Sequence, residues 1–510
     1  MTGTSAPDPR RIRHPDRPHP GEEARPATVR AIDPVAQLVG MHIAALGIAM
    51  LAPLALDLFD GNGNADGMLL AALLTTAAGI ALTLLMRQSW RGGLARSQAI
   101  MLTVALWTIL PAFGALPFVF GAPFVSYTDA YFESMSGMTT TGSTVFVGLD
   151  SMPRGTLLWR ALLQWFGGLG IVIVGVSFLP AMRIGGMQFF RAVSMDVSGD
   201  IIPRATQIAA DLLVLYLGLT LLCLLAYSAA GMTAFDAICH AMTTISTGGY
   251  ANYDTSFGLF GPAAEYAAIL FMALAAMPFI RFVELSRGRP RPLWRDTQIR
   301  AFLGIILAAA ATIAAAQIWM QGAGVEPAIR AALFNVTSVI TTTGYASADY
   351  NQWGSLALAV IFVVSMIGGC SGSTAGAAKV FRLQILFGAL MVQIKRLHNP
   401  HGVFRLHYQG RPVEVDIVSS IMAFLFIYLL TIGIIAILLS LMGLDFVTAL
   451  TAPLATVTNV GPGLGPVIGP AGNFSPLSDG AKWLLSAGML LGRLEFMSVL
   501  VLLTPVFWRR

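Results

Sequence analysis

Apolar residues run along this chain in long stretches separated by short polar connections. A bilayer span needs about 20 mostly apolar residues. Ten stretches qualify: residues 34–57, 67–86, 99–120, 156–182, 207–230, 261–285, 298–320, 355–392, 415–443 and 481–507. The pattern predicts an all-α polytopic membrane protein. The eighth stretch is interrupted by Gly368, Gly369, Cys370, Ser371, Gly372, Ser373, Thr374, Ala375 and Gly376, small and polar residues that make a poor continuous helix. Irregular backbone at membrane depth survives only where it is buried in protein or lines water. The alternative for this segment is a simple kink at a helix-packing contact.

A second pattern repeats between spans three and four, five and six, seven and eight, and nine and ten. Each of these connections holds a short apolar stretch followed by a Thr/Ser/Gly-rich turn: SMSGMTTTGSTVF from Ser134, CHAMTTISTGGY from Cys239, TSVITTTGYASADY from Thr337 and TAPLATVTNVGPG from Thr451. The central glycines, Gly142, Gly248, Gly344 and Gly461, recur about every hundred residues, which is the signature of an internal repeat. A stretch of about 10 to 13 apolar residues is too short to span but long enough to enter the membrane as a half-helix and return. Four such turns facing one another can line a narrow path with carbonyls that replace the water shell of a cation. Glycine supplies the positive φ and the small bulk that crowding needs. The alternative is that Thr/Gly-rich stretches serve only as helix-packing surfaces.

Composition sharpens this picture. Of 510 residues, 56% are hydrophobic and only 11% charged, against about 25% charged in soluble domains. That excludes a cytosolic enzyme, a secreted disulfide scaffold and a disordered chain. Basic residues gather in the N-terminal arm, at Arg87–Arg96, Arg183–Arg204, Arg281–Arg300 and Lys379–Arg411, and at Arg509 and Arg510, so these loops and both termini are expected to be cytoplasmic. Asp57, Asp129, Glu133, Asp150, Asp254, Glu326, Asp349 and Asp445 fall in the opposite loops, giving an acidic outer face that concentrates cations. Residues 1–33, rich in Pro and Arg, read as a disordered basic arm. Cys223, Cys239 and Cys370 lie in or beside apolar stretches and suggest neither a disulfide nor a metal site.

The ordered motifs ESMSGMTTTGST at 133–144, LLQWFGGLGI at 162–171, FDAICHAMTTISTGGY at 235–250, IGGCSGSTAGAAKVFR at 367–382, TNVGPGLG at 458–465 and MLLGRLEFMSVLVLLTP at 489–505 resemble the TrkH/KtrB/HKT superfamily of potassium transporters, most closely its bacterial TrkH branch. The resemblance covers residues 34–510. It implies two extra N-terminal transmembrane helices (34–98) and four M1-P-M2 pore repeats in pseudo-fourfold arrangement, at 99–190, 191–296, 297–413 and 414–510. It also implies a homodimer in the bacterial inner membrane. Carried over by residue, the K+ filter is Thr140, Thr141, Gly142 and Ser143; Ser246, Thr247, Gly248 and Gly249; Thr342, Thr343, Gly344 and Tyr345; and Asn459, Val460, Gly461 and Pro462. The interrupted eighth span resembles the family's intramembrane gate loop, 368–379, here with Gly368, Gly369, Ser371, Gly372, Ser373, Thr374, Gly376 and Lys379.

Arg493 falls well inside the last apolar stretch, where an unpaired cation costs several kcal/mol. The resemblance makes it a pore-facing restriction; the alternative is a buried ion pair, for which Glu495, two residues on, lies off the same helical face. Arg160 and Glu133 are expected to brace the first turn, Gly167 and Gly168 to pack closely beside it, and His240 to be structural. Potassium is the expected permeating ion. The chain has no Walker loop or dinucleotide fingerprint, so nucleotide control would come from the cytosolic TrkA-type regulatory subunit that the resemblance implies. Lipid is the other expected partner; nothing points to nucleic acid, an organic cofactor or covalent chemistry. A cation-coupled secondary transporter with alternating access remains the second reading, although such proteins often have inverted halves and these repeats run in one direction.

Overall fold

The computed structural model describes residues 27–87, 94–177 and 205–508. Most of the basic arm, the Arg183–Arg204 loop, much of the Arg87–Arg96 loop and the terminal arginines lie outside these residues. The first helix, α1 (Ala27–Ala49), opens ahead of the apolar stretch at 34 and therefore takes in the last residues of the expected arm. It is continued by α2 (Leu51–Asp60) and packs along α3 (Ala65–Leu85). Their closest approach is at Gly40, Gly47 and Gly79, where an added methyl group would run into Thr83, Thr76 and Ala44. Small residues let membrane helices approach to backbone contact.

Four successive units, each a helix, a half-helix and a helical return, follow in chain order. The first is α4 (Arg96–Gly114) with its short extension α5 (Leu116–Phe120), the half-helix α6 (Tyr127–Met138) and α7 (Arg154–Ser177). The second is α8 (Ala205–Ala229), half-helix α9 (Ala234–Ile245), and α10 (Pro262–Ala275) with α11 (Phe279–Ser286). After the short α12 (Arg291–Arg295), the third is α13 (Thr297–Gln321), half-helix α14 (Val325–Ile340), and α15 (Ser355–Ile367) with α16 (Val380–His398). A two-residue hairpin, β1 (His407–Tyr408) and β2 (Arg411–Pro412), precedes the fourth: α17 (Val415–Leu441), half-helix α18 (Phe446–Thr458), α19 (Gly465–Ile468), α20 (Asp479–Arg493), α21 (Met497–Leu502) and α22 (Pro505–Trp508). Three half-helices start alike: the side chains of Ser126, Thr233 and Asp445 each accept from the amide three residues on, which satisfies an amide that the first turn leaves unpaired.

Among the described residues, seven helices are long and apolar enough to cross a membrane, or eight if the bent pair α10 and α11 is one span. Seven of the ten stretches read from the sequence thus hold a spanning helix over their described residues. The other three are the second long helices of units two, three and four, and all are broken. Only the third unit's break was expected. In unit two the chain turns by 93° between α10 and α11, where Pro278 supplies no amide to continue the helix. In unit four, Glu495 and Phe496 adopt positive φ of 57° and 53° and separate α20 from α21.

Candidate ion pathway

The four Thr/Gly turns meet. In each, the first residue donates its amide to the carbonyl three back and the second to the carbonyl five back: Thr140 to Gly137 and Thr141 to Ser136, Thr247 to Thr244 and Gly248 to Thr243, Thr342 to Val339 and Thr343 to Ser338, Asn459 to Thr456 and Val460 to Ala455. The first residues share φ values of 50°, 52°, 58° and 56°, and the third residues, Gly142, Gly249, Gly344 and Gly461, share values of 86°, 75°, 83° and 104°. Left-handed backbone is costly for β-branched threonine, so its recurrence in three of four turns is imposed by the surroundings. This geometry corrects the register of the second turn by one residue: the match to Thr140–Ser143 is Thr247, Gly248, Gly249 and Tyr250, with Ser246 still at the helix end and Gly249 in the place expected for Gly248.

Neighbouring turns are in backbone contact in cyclic order. A methyl group at Gly142 would strike the Gly248 carbonyl, at Gly249 the Thr343 carbonyl and at Gly344 the Val460 carbonyl; at Gly461 it would lie 2.9 Å from the Thr141 carbonyl. The fourth turn is further tied to the first, the Asn459 side chain donating through Nδ2 to Thr141 Oγ1 (2.8 Å) and the Ser143 hydroxyl to the Gly461 carbonyl (2.8 Å). On the side of the connecting loops, the ring opens into a cavity of about 230 Å³ lined by Gly142, Ser143, Gly249, Gly344, Gly461 and Pro462, with Asp254 and Asn473 further out.

Buried polar residues hold the ring from behind. Glu133 accepts from the Thr144 hydroxyl, the Val145 amide (2.9 Å) and Arg160 Nε (2.8 Å), and Arg160 in turn donates to the Ala251 carbonyl (2.9 Å) and lies over the Tyr250 ring. Both side chains are thus spent on bracing the first two turns. Gln164 binds the second turn at both ends, donating to the Gly248 carbonyl (2.7 Å) and accepting from the Tyr250 amide (3.0 Å). Gly167 and Gly168 admit Met138 and Ser246 to contact. His240 bonds through Nδ1 with the Asp236 carbonyl (2.8 Å) and sits among Phe257, Phe260 and Tyr345, a structural environment.

Residues 368–379 lie directly against the other side of the ring. The Gly376 amide donates to Thr342 Oγ1 (2.8 Å) and the Ala377 amide to the Thr458 carbonyl (3.1 Å). The same loop satisfies the break in unit two: Cys370 donates to the Ala276 carbonyl (2.9 Å), the Thr374 hydroxyl to the Ala275 carbonyl (3.0 Å), and Phe279 donates to the Gly372 carbonyl (2.9 Å). This is how irregular backbone is tolerated at depth, each break supplying what the other lacks. Arg493, 4% exposed, donates through Nη1 to the Thr374 carbonyl (3.0 Å), while its Nε and Nη2 bond to no described protein atom. Glu495 does not pair with it. Its carboxylate lies 2.6 Å from Arg382 Nη2 and 3.3 Å from Lys379 Nζ, so the break in unit four is tied to the end of the loop. The sequence reading missed Tyr250, Gln164, Arg382 and Glu495. A tyrosine following the glycine, as in Gly344–Tyr345, was the signal that would have set the second turn's register.

Helices of spanning length around paired half-helices and touching turns define a multi-pass membrane protein of the ion-transport class. Residues 69–509 match the TrkH family, described as cation transport protein, and the chain belongs to that family. It is 42% identical to the Trk system potassium uptake protein TrkI of Halomonas elongata, covering 95% of this chain and 98% of that one. It is 36% identical to the Trk system potassium uptake protein TrkH of Escherichia coli K12, covering 93% and 99%. Its structure is similar to the crystal structure of the potassium transporter TrkH from Vibrio parahaemolyticus, with a TM-score of 0.85 and 33% identity over 94% of this chain and all of the other.

Proposed function

We propose that this chain takes up potassium across a bacterial inner membrane through the ring of four turns, with residues 368–379 and Arg493 as the gate beneath it. The observation that carries this reading is the shared hydrogen-bonding pattern of four turns in cyclic contact. Carbonyls held at matched positions on four sides are the means by which a protein replaces the water shell of a cation, and the half-helices that end at the turns direct the negative ends of their dipoles there. In the corrected register the filter is Thr140–Ser143, Thr247–Tyr250, Thr342–Tyr345 and Asn459–Pro462. Potassium as the permeating ion rests on the names of the relatives. Cytoplasmic termini follow from the basic loops, and a homodimer with a TrkA-type nucleotide-binding regulator on the cytoplasmic face follows from the family resemblance.

The test is flux of potassium and sodium into liposomes holding the purified chain, with Gly344→Ser beside the parent. A side chain there overlaps the Val460 carbonyl, so the variant should insert normally and lose ion discrimination. Unchanged fluxes of both ions would remove the ring from the pathway.

A further inference from the structure

The fourth position of each turn is Ser143, Tyr250, Tyr345 or Pro462. The two tyrosines reach backwards to the preceding unit. Tyr250 donates its hydroxyl to the Glu133 carbonyl (2.7 Å), and Tyr345 donates to the His240 carbonyl (3.2 Å) while meeting Thr243 Oγ1 at 2.5 Å. Glu133 and His240 each stand seven residues before the first residue of their turn, Thr140 and Thr247. The same bond is therefore made twice, one unit apart, between matching atoms of neighbouring units. Both tyrosines are buried, at 3% and 0% exposure.

The other two joins are built differently. Between turns four and one, the Ser143 hydroxyl holds the Gly461 carbonyl. Between turns three and four, proline has no hydroxyl or amide to offer, and Pro462 Cδ instead packs against Gly344. A cavity of about 20 Å³ lies behind this join, lined in part by Val339, Tyr350, Val460 and Pro462. The ring is thus tied at two joins by a rigid aromatic arm, at one by the Ser143 hydroxyl and the Asn459 side chain, and at the third-to-fourth join by packing beside a void, with Asn351 and Gly465 bonded to each other further along the two units.

We propose that Tyr250 and Tyr345 are positioning residues that set the ring's spacing, and with it the discrimination of potassium from sodium. The inference rests on the filter reading above. An aromatic ring fixed at one end by its backbone and at the other by a buried hydrogen bond acts as a strut: it keeps a turn from closing inward on a smaller ion. Loss of the hydroxyl leaves the ring packed and frees the strut. The Pro462 join, without such an arm, is the side on which the ring yields.

The experiment compares the parent with Tyr345→Phe, Tyr250→Phe and, as a control for loss of a buried tyrosine hydroxyl elsewhere, Tyr408→Phe, whose hydroxyl bonds Gln384 near the hairpin. Potassium and sodium dissociation constants are read from cation-dependent melting of the full-length protein, and fluxes from liposomes. The sodium-to-potassium ratio of dissociation constants should fall about threefold to tenfold in each filter-side variant, the factor that about one hydrogen bond's net free energy represents, and stay at the parent value in Tyr408→Phe. A purely structural role lowers the melting temperature and leaves the ratio unmoved, which overturns the proposal. Should one variant fail to fold, the other tests the same bond at the next join. If the parent discriminates, Gly344→Ser abolishes discrimination and the Phe variants keep it, only the strut is wrong; if the parent binds both ions equally, the filter reading fails and takes the strut with it.

Discussion

Replacing Glu495 by Gln removes one charge from a buried cluster without changing its shape. The carboxylate stands 2.6 Å from Arg382 and 3.3 Å from Lys379, and all three side chains are nearly inaccessible. At an effective dielectric of 20 these separations correspond to attractions of about 6 and 5 kcal/mol, opposed by a desolvation cost of several kcal/mol for each buried ion. Removing the shared partner is therefore expected to cost about 3–5 kcal/mol, mostly because buried positive charge loses its carboxylate. Arg382 keeps the Ala378 carbonyl and the face of Phe424, so the strain falls on Lys379, the last residue of the loop. Glu495→Gln should make a cysteine placed at Ala377 more reactive and raise flux without a regulator. Lys379→Met in the same background should restore stability, with a coupling of about 1–3 kcal/mol in a double-mutant cycle read by reversible denaturation in mixed detergent micelles. Strictly additive single effects, or a loop no more reactive than in the parent, would refute the electrostatic tie.

Arg493→Ala should raise potassium flux per folded molecule, and Arg493→Lys should retain most of the restriction; a flux order that ignores side-chain charge would take Arg493 out of the path. Gly376→Ala places a methyl group 2.6 Å from the Thr458 carbonyl and should loosen the loop, seen as faster exchange of its amides, whereas unchanged exchange would mean the contact is slack. Ser126→Ala removes the cap of α6 and should lower stability by about 1 kcal/mol, measured as a fall in melting temperature with ion discrimination intact.

The elements that sequence made legible are those governed by one-dimensional periodicity. Long apolar runs mark spans whatever their neighbours do, and four Thr/Gly turns at similar intervals mark a repeat. The breaks at Pro278 and Glu495 were hidden because their stretches are apolar enough to cross a membrane; at Pro278 a loop about a hundred residues away in sequence takes the freed backbone groups, and at Glu495 the end of that loop meets the carboxylate through Lys379. The second turn's register was lost to its adjacent glycines, Gly248 and Gly249, either of which satisfies a pattern of small residues. The bonds to Thr244 and Thr243 decide between them, in agreement with the tyrosine that follows Gly249 as Tyr345 follows Gly344. Glu495 shows the same limit: helical spacing excluded it as a partner of Arg493, and nothing along the chain pointed to Lys379 and Arg382.

The mutual repair of the broken helices also bears on the energetics of the proposed gate. For residues 368–379 to leave, the chain must give up the bonds from Cys370 to Ala276, Thr374 to Ala275, Phe279 to Gly372, Ala377 to Thr458, Gly376 to Thr342 and Arg493 to Thr374. Each is worth about 0.5–1.5 kcal/mol when water replaces it, and more when a buried group is left unpaired. Even the lower figure sums to about 3 kcal/mol for the six bonds, which corresponds to an open fraction below about 1% at rest. Opening must then be driven by something that binds the open arrangement better than the closed one, because a ligand shifts an equilibrium only by its differential affinity. The burden falls on forces applied to α16, which continues directly from Lys379 to its basic end at Lys395, Arg396 and His398, and which a cytosolic partner could pull from outside the membrane.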